Sequence, residues 1–148
     1  MSHSNLDFSE NHYRQLLEKS TDLVVRQFAD IDQQKGYHDH PQKEVENWFE
    51  EELPEEGMDP NLLLDEVEEK VLNTASCNLG PHMYAYVMSG GNQMAIIAEQ
   101  LANTINQNQT KWHLAPAMNE IEKRVVQWTA KMLGFPDGAG GVMVSGGS

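Results

Sequence analysis

The chain has 148 residues, a formal net charge of −13 and one cysteine, Cys77. That length suits a single domain; one thiol excludes an internal disulfide, and no apolar run approaches the ~18 residues of a membrane span. An acidic chain lacks the basic surface that a nucleic-acid partner needs, and its polar N-terminus is unlike a secretory signal, so a cytoplasmic protein is expected.

The charge is unevenly placed. Residues 1–74 hold 19 acidic and 6 basic side chains, whereas residues 75–148 hold 4 of each. The first half therefore reads as solvated helical surface, with an acidic docking face as the alternative. Cys77 reads as a small buried hydrophobe rather than a nucleophile.

Ser9 is positioned to cap a helix running to about Gln33. Tyr13, Leu16, Leu17, Val24, Phe28 and Ile31 form its apolar face, and Lys35-Gly36 its stop. Tyr37-His38-Asp39-His40-Pro41 follows as a connection. Its H-x-H pair lacks a third ligand nearby, so the expectation is a loop and not a metal centre. Val45, Trp48 and Phe49 mark a short helix. The glutamates Glu50-Glu51-Glu52 and Glu55-Glu56 read as solvated surface, since adjacency alone implies no catalytic geometry.

Asp59-Pro60 is a strong helix start, a capping carboxylate followed by proline at the first turn. Leu62, Leu63, Val67, Val71 and Leu72 give this helix an apolar face up to about Thr74. Three such helices have little to bury against one another, which implies a larger surface beneath them. Residues 79–87 then read as an extended aromatic segment and Ser89-Gly90-Gly91-Asn92 as a turn. A helix to about Gln107 carries Met94, Ile97, Leu101 and Ile105 on one face. Trp112-His113-Leu114-Ala115-Pro116 reads as an extended connection, and Pro116 opens a helix whose stripe is Ile121, Val125, Trp128 and Met132. Gly134 ends it.

The closing stretch carries the chemistry. Val142-Met143-Val144 reads as a short buried strand. It runs into Ser145-Gly146-Gly147-Ser148, where bare amides and a hydroxyl face one small space. A helix after such a turn would complete a phosphate cradle, and it is expected beyond Ser148.

From residue 79 onward the motifs follow a known order. They are Pro81-His82-Met83-Tyr84-Ala85-Tyr86-Val87, Ala98-Glu99-Gln100-Leu101, Asn106-Gln107-Asn108, Trp112, Ala115-Pro116-Ala117 and Glu120-Ile121-Glu122. Val126-Gln127-Trp128, Met132-Leu133-Gly134 and Ser145-Gly146-Gly147-Ser148 complete the series. In this order and spacing the chain resembles the N-terminal part of the group II pyridoxal-phosphate-dependent amino-acid decarboxylases. The helices of residues 9–74 match that family's N-terminal arm more loosely.

The resemblance implies a mostly α chain: a helical dimerisation arm over residues 1–78, then the start of a fold-type-I α/β domain over 79–148, truncated at the phosphate-binding turn. It implies pyridoxal 5'-phosphate as cofactor, with Gly146, Gly147 and Ser148 at its phosphate. Tyr86, Val87 and Ser89 match the substrate side-chain wall. An amino-acid substrate and a homodimer built through the N-terminal helices follow from the same resemblance. Gly80 stands where many members have histidine. The Schiff-base lysine, the ring-stacking histidine and the aspartate paired with the pyridine nitrogen are expected beyond residue 148, so no catalytic residue is assigned within this chain, and the chain alone is expected to be inactive. Tyr84-Ala85-Tyr86 is closer to the aromatic-substrate branch than to the acidic one. Two other readings stay open: another fold-type-I enzyme, such as a lyase or aminotransferase, and a non-catalytic helical interaction module.

Overall fold

A computed structural model of the chain describes residues 7–144 and 146. The protein is mostly helical, and no strand forms among the described residues. It divides into two compact units, residues 1–91 and 92–148.

In the first unit, α1 spans Glu10–Ala29, α2 Gln42–Trp48 and α3 Pro60–Glu66. Local capping explains where they begin. The Ser9 side chain accepts the His12 N–H at 3.3 Å, and the Asp59 carboxylate accepts the Asn61 N–H at 2.8 Å, with Pro60 in the first turn. Helix α1 ends at Ala29, short of the expected Gln33, and a turn over residues 30–33 follows. Helix α3 passes into a wider π-helical turn at Val67–Leu72.

Helix α1 packs against α3. Its buried residues are Leu16 and Leu23. Val24, expected on the buried face, is 41% exposed, whereas Leu23 is 4% exposed. The correction follows from helix geometry: seven residues bring the chain back to within ~20° of the starting face, while eight overshoot it by ~80°. Polar ties fix the register of the packing. Lys19 Nζ reaches Asp65 at 2.5 Å and the Asn61 carbonyl at 2.8 Å, and Arg26 pairs with Glu68 at 2.8 Å. Lys70 donates to the Trp48 carbonyl and lies over the Phe49 ring, tying α2 to the π-helical turn. Several acidic residues read as bare surface are therefore latches. Exposed pairs of this kind each contribute about 0–1 kcal/mol, so they select a register more than they hold the unit together.

In the second unit, α4 spans Gln93–Ile105 and α5 Pro116–Met132. Asn92 caps α4 by accepting the Ala95 N–H at 2.9 Å, and Asn106 closes it in the left-handed conformation. The connection at Trp112–Leu114 is a 3-10 turn, not extended chain. Its reason is local: Leu114 and Ala115 N–H groups bond back to the Lys111 and Trp112 carbonyls, and Ala115 is fully buried. Ala115, immediately before Pro116, leaves the helical region, since proline disfavours it in the preceding residue.

The expected strand at Val142–Val144 is also absent. These three residues are exposed and unpaired in any ladder. A strand is completed by its neighbours, and no other strand exists among the described residues to pair with it.

Burial is scarce throughout. Among the described residues, only Leu16, Leu23 and Ala115 are buried hydrophobics. The chain exposes 12937 Å², whereas two separate compact globules sharing its mass would together expose about 9,200 Å². Apolar faces are formed but largely uncovered.

Two predictions follow from these elements. Leu23→Ala lowers the urea-unfolding stability of the first unit by about 2–3 kcal/mol, and Val24→Ala by less than about 1 kcal/mol. The Asn61 N–H holds the Asp59 carboxyl below the ordinary 3.8. A depressed carboxyl supports the fold above its unfolded value and loses that support as pH falls through the folded one. The charged α3 cap is therefore intact above pH 3.8 and fades as the pH drops below it. An NMR titration of the Asn61 amide shows a midpoint below 3.8, and Asp59→Asn, which keeps an acceptor, abolishes the titration.

Candidate cofactor and substrate site

The expected substrate wall lies in the first unit. Tyr86, Val87 and Ser89 sit on a segment between the arm helices and α4, all three exposed, and the turn expected over residues 89–92 does not form. Tyr86 is 89% exposed and Val87 entirely so, with Tyr84 beside them equally bare. Tyr86 has φ +65°, a conformation that bulky residues seldom adopt. Large aromatic side chains held in water on such a backbone are placed to meet a further surface or a ligand.

The phosphate-turn candidates lie in the second unit. Gly146 is described; Gly147 and Ser148 lie outside the described residues, as does Ser145. A Cβ built on Gly146 meets no atom within 4 Å. Gly146 therefore has open space beside its backbone, room that a cofactor's phosphate group would need.

The approach to the turn is fixed against α5. Gly141 passes so close to Val126 that a Cβ would lie 3.0 Å from its Cγ1. Two residues on, the Met143 N–H donates to Glu122 Oε1 at 2.9 Å. Trp112 Nε1 donates to Glu120 at 2.9 Å. Between α5 and this return segment is a cavity of about 430 Å³, lined in part by Trp112, Glu120, Glu122, Lys123 and Gly141. Two carboxylates against one ammonium make it unsuited to a phosphate.

The other chemical candidates resolve as packing. His38 and His40 stack with ring centroids 5.8 Å apart, and His40 packs edge-on against Trp48. No group of three His, Cys, Asp or Glu able to hold a metal occurs among the described residues. Cys77 is half-buried beside Gly80. No helix among the described residues is long and apolar enough to cross a membrane.

Comparison with known proteins supplies the class. Residues 41–148 match the pyridoxal-dependent decarboxylase conserved domain. The chain belongs to that family, which depends on pyridoxal. It is 32% identical over 144 residues to the aromatic-L-amino-acid decarboxylase of Bacillus atrophaeus, a match covering 97% of this chain and 30% of that protein. Its fold is similar to that of the Oryza sativa TDC solved with PLP, at TM-score 0.78 and 18% identity over 91% of this chain and 28% of that one. It is similar also to the Rhodiola rosea 4-hydroxyphenylacetaldehyde synthase, at TM-score 0.74 and 21% identity over 90% of this chain and 28% of that one. The chain thus spans less than a third of the length of each of these relatives.

The sequence pattern did not reveal the Glu122–Met143 tie, because it joins residues 21 apart across a return loop. Glu122→Ala speeds amide exchange at Met143 roughly fivefold, the effect of one lost hydrogen bond, and Glu122→Gln retains most of the protection.

Proposed function

We propose that this chain is the N-terminal part of a pyridoxal-phosphate-dependent carboxy-lyase that removes the α-carboxylate of an L-amino acid, an aromatic one, giving an amine and carbon dioxide. The observation that carries the proposal is the match to an aromatic-L-amino-acid decarboxylase along almost the whole chain. The exposed Tyr84-Ala85-Tyr86-Val87 segment supports the aromatic preference, since flat apolar walls suit a ring.

The roles within the chain follow. Backbone amides of Gly146 and Gly147 and the hydroxyl of Ser148 hold the cofactor phosphate and so fix the position of its ring. Tyr86 and Val87 enclose the substrate side chain, exclude water from it, and orient the substrate through that grip. Ser89 offers a hydroxyl donor to the substrate's polar atoms. The bound cofactor supplies the electron sink that accepts the bonding pair when the carboxylate leaves. The lysine that holds the cofactor comes from chain beyond residue 148, so the 148 residues alone do not turn over.

The architecture belongs to the same proposal. Residues 1–78 act as a helical dimerisation arm and 79–148 as the beginning of a fold-type-I domain, in a cytoplasmic homodimer. The uncovered faces of α1 and α3 support it, because obligate interfaces are apolar and large. A second reading is another pyridoxal enzyme of the same fold; the likeness to an aldehyde synthase favours keeping it.

The test is product analysis with the complete gene product. Amine and carbon dioxide form in equal amounts from an aromatic amino acid, in preference to glutamate or 2,4-diaminobutyrate, and the purified 148-residue chain releases no carbon dioxide. An aldehyde in place of the amine establishes the second reading. Preference for glutamate overturns the aromatic assignment.

A further inference from the structure

The segment that carries the candidate substrate wall is pinned at both ends and bare in the middle. At its start, His82 Nε2 lies 3.0 Å from the backbone carbonyl of Asp32. A carbonyl only accepts, so Nε2 carries the proton and donates it. Gly36 backs onto the His82 carbonyl so closely that a Cβ on Gly36 would collide with both its oxygen and its carbon. The Lys35 carbonyl accepts the Cys77 N–H at 3.2 Å, tying the same turn to the residues just before the segment. At the far end, a Cβ on Gly91 would lie 2.8 Å from Leu79 Cδ1 and 3.3 Å from the Phe28 ring.

Side-chain packing does not hold the stretch between. A hollow of about 600 Å³ lies along it, lined in part by Gln33, Lys35, Tyr37, His82 and Tyr84. Tyr84, Tyr86 and Val87 project into water. Yet Tyr86 keeps a positive φ, which a tyrosine holds only when the chain on either side dictates it. The backbone ties at the ends are the constraints available to do that.

We propose that the turn of residues 30–36, at the end of α1, is a positioning clamp that sets where Tyr86, Val87 and Ser89 stand against the substrate, with His82 and Gly36 as its positioning residues. The inference rests on reading those three as substrate wall. The clamp works without touching substrate. His82 fixes the height of the segment on the arm, and the missing side chain at Gly36 lets the backbone seat fully. Displacing that seat shifts the wall and weakens the grip on the substrate side chain, while the residues proposed to anchor the cofactor keep their own contacts.

Two experiments test it. In the complete enzyme, Gly36→Ala and His82→Ala raise KM for the aromatic substrate about fivefold, with kcat and cofactor absorbance within about twofold of the parent, and His82→Gln, which keeps an N–H donor, restores KM. Unchanged KM in both variants overturns the clamp. So does a joint fall of kcat, cofactor content and thermal midpoint, which is the mark of general misfolding.

The second readout needs no turnover, and so separates this inference from the assignment of the reaction. Chymotrypsin cleaves the 148-residue chain after Tyr84 and Tyr86 about fivefold faster in both alanine variants, while cleavage after Leu133, exposed at the end of α5 in the second unit, keeps its rate. Equal rates at the tyrosines, or the same acceleration at Leu133, contradict the clamp. A parent enzyme that releases no carbon dioxide, together with the predicted cleavage pattern, overturns the reaction and leaves the clamp standing.

Discussion

The scarcity of buried apolar surface governs this structure. Helix α4 turns Met94, Ile97, Leu101 and Ile105 to one side, and all four stay at least half exposed or nearly so. Each such side chain gains about 1.5–3 kcal/mol when fully covered. Four in a row make a face whose stability has to come from a surface that is not among these residues. The same is true of Ile121, Trp128 and Met132 on α5. Propensity and capping shape the helices, but isolated helices of this length are marginal in water. Their sharp definition is the mark of elements that belong to a larger packed body.

That constraint connects the fold to the function. A decarboxylase relative some three times longer supplies a natural source of cover. The elements proposed to meet cofactor and substrate, Gly146 after α5 and the tyrosine segment after the arm, are exposed. Both are held by backbone ties instead of core packing. Glu122 holds the approach to the turn, and the 30–36 turn holds the tyrosine segment.

How much of this was legible in the sequence divides along the range of the interactions. Ser9, Asp59 and Pro116 each marked a helix start, because these signals act only within the first turn, whereas Asn92, read as part of a turn, proves to be the cap of α4. The burial of Leu23 in place of Val24 depended on which side of α1 meets α3, a tertiary fact that the apolar pattern left degenerate. The Val142–Val144 strand was overread, because β-branched residues mark a potential to pair and the pairing strand must be present. At the candidate site, motif order singled out Gly146 and Tyr86, but the exposure of Tyr84 and Tyr86 was not foreseen. Nor was the bond from His82 to Asp32, since 50 residues separate its partners and neither type signals it.

The claim that these helices are faces awaiting cover is tested most directly by hydrogen exchange along α4. Protection should be close to that of unfolded chain in the 148 residues alone, and high at Ile97, Leu101 and Ile105 in the complete protein with its cofactor. Equal protection of α4 in the two would mean that the helix is stabilised within this chain, and would contradict the account.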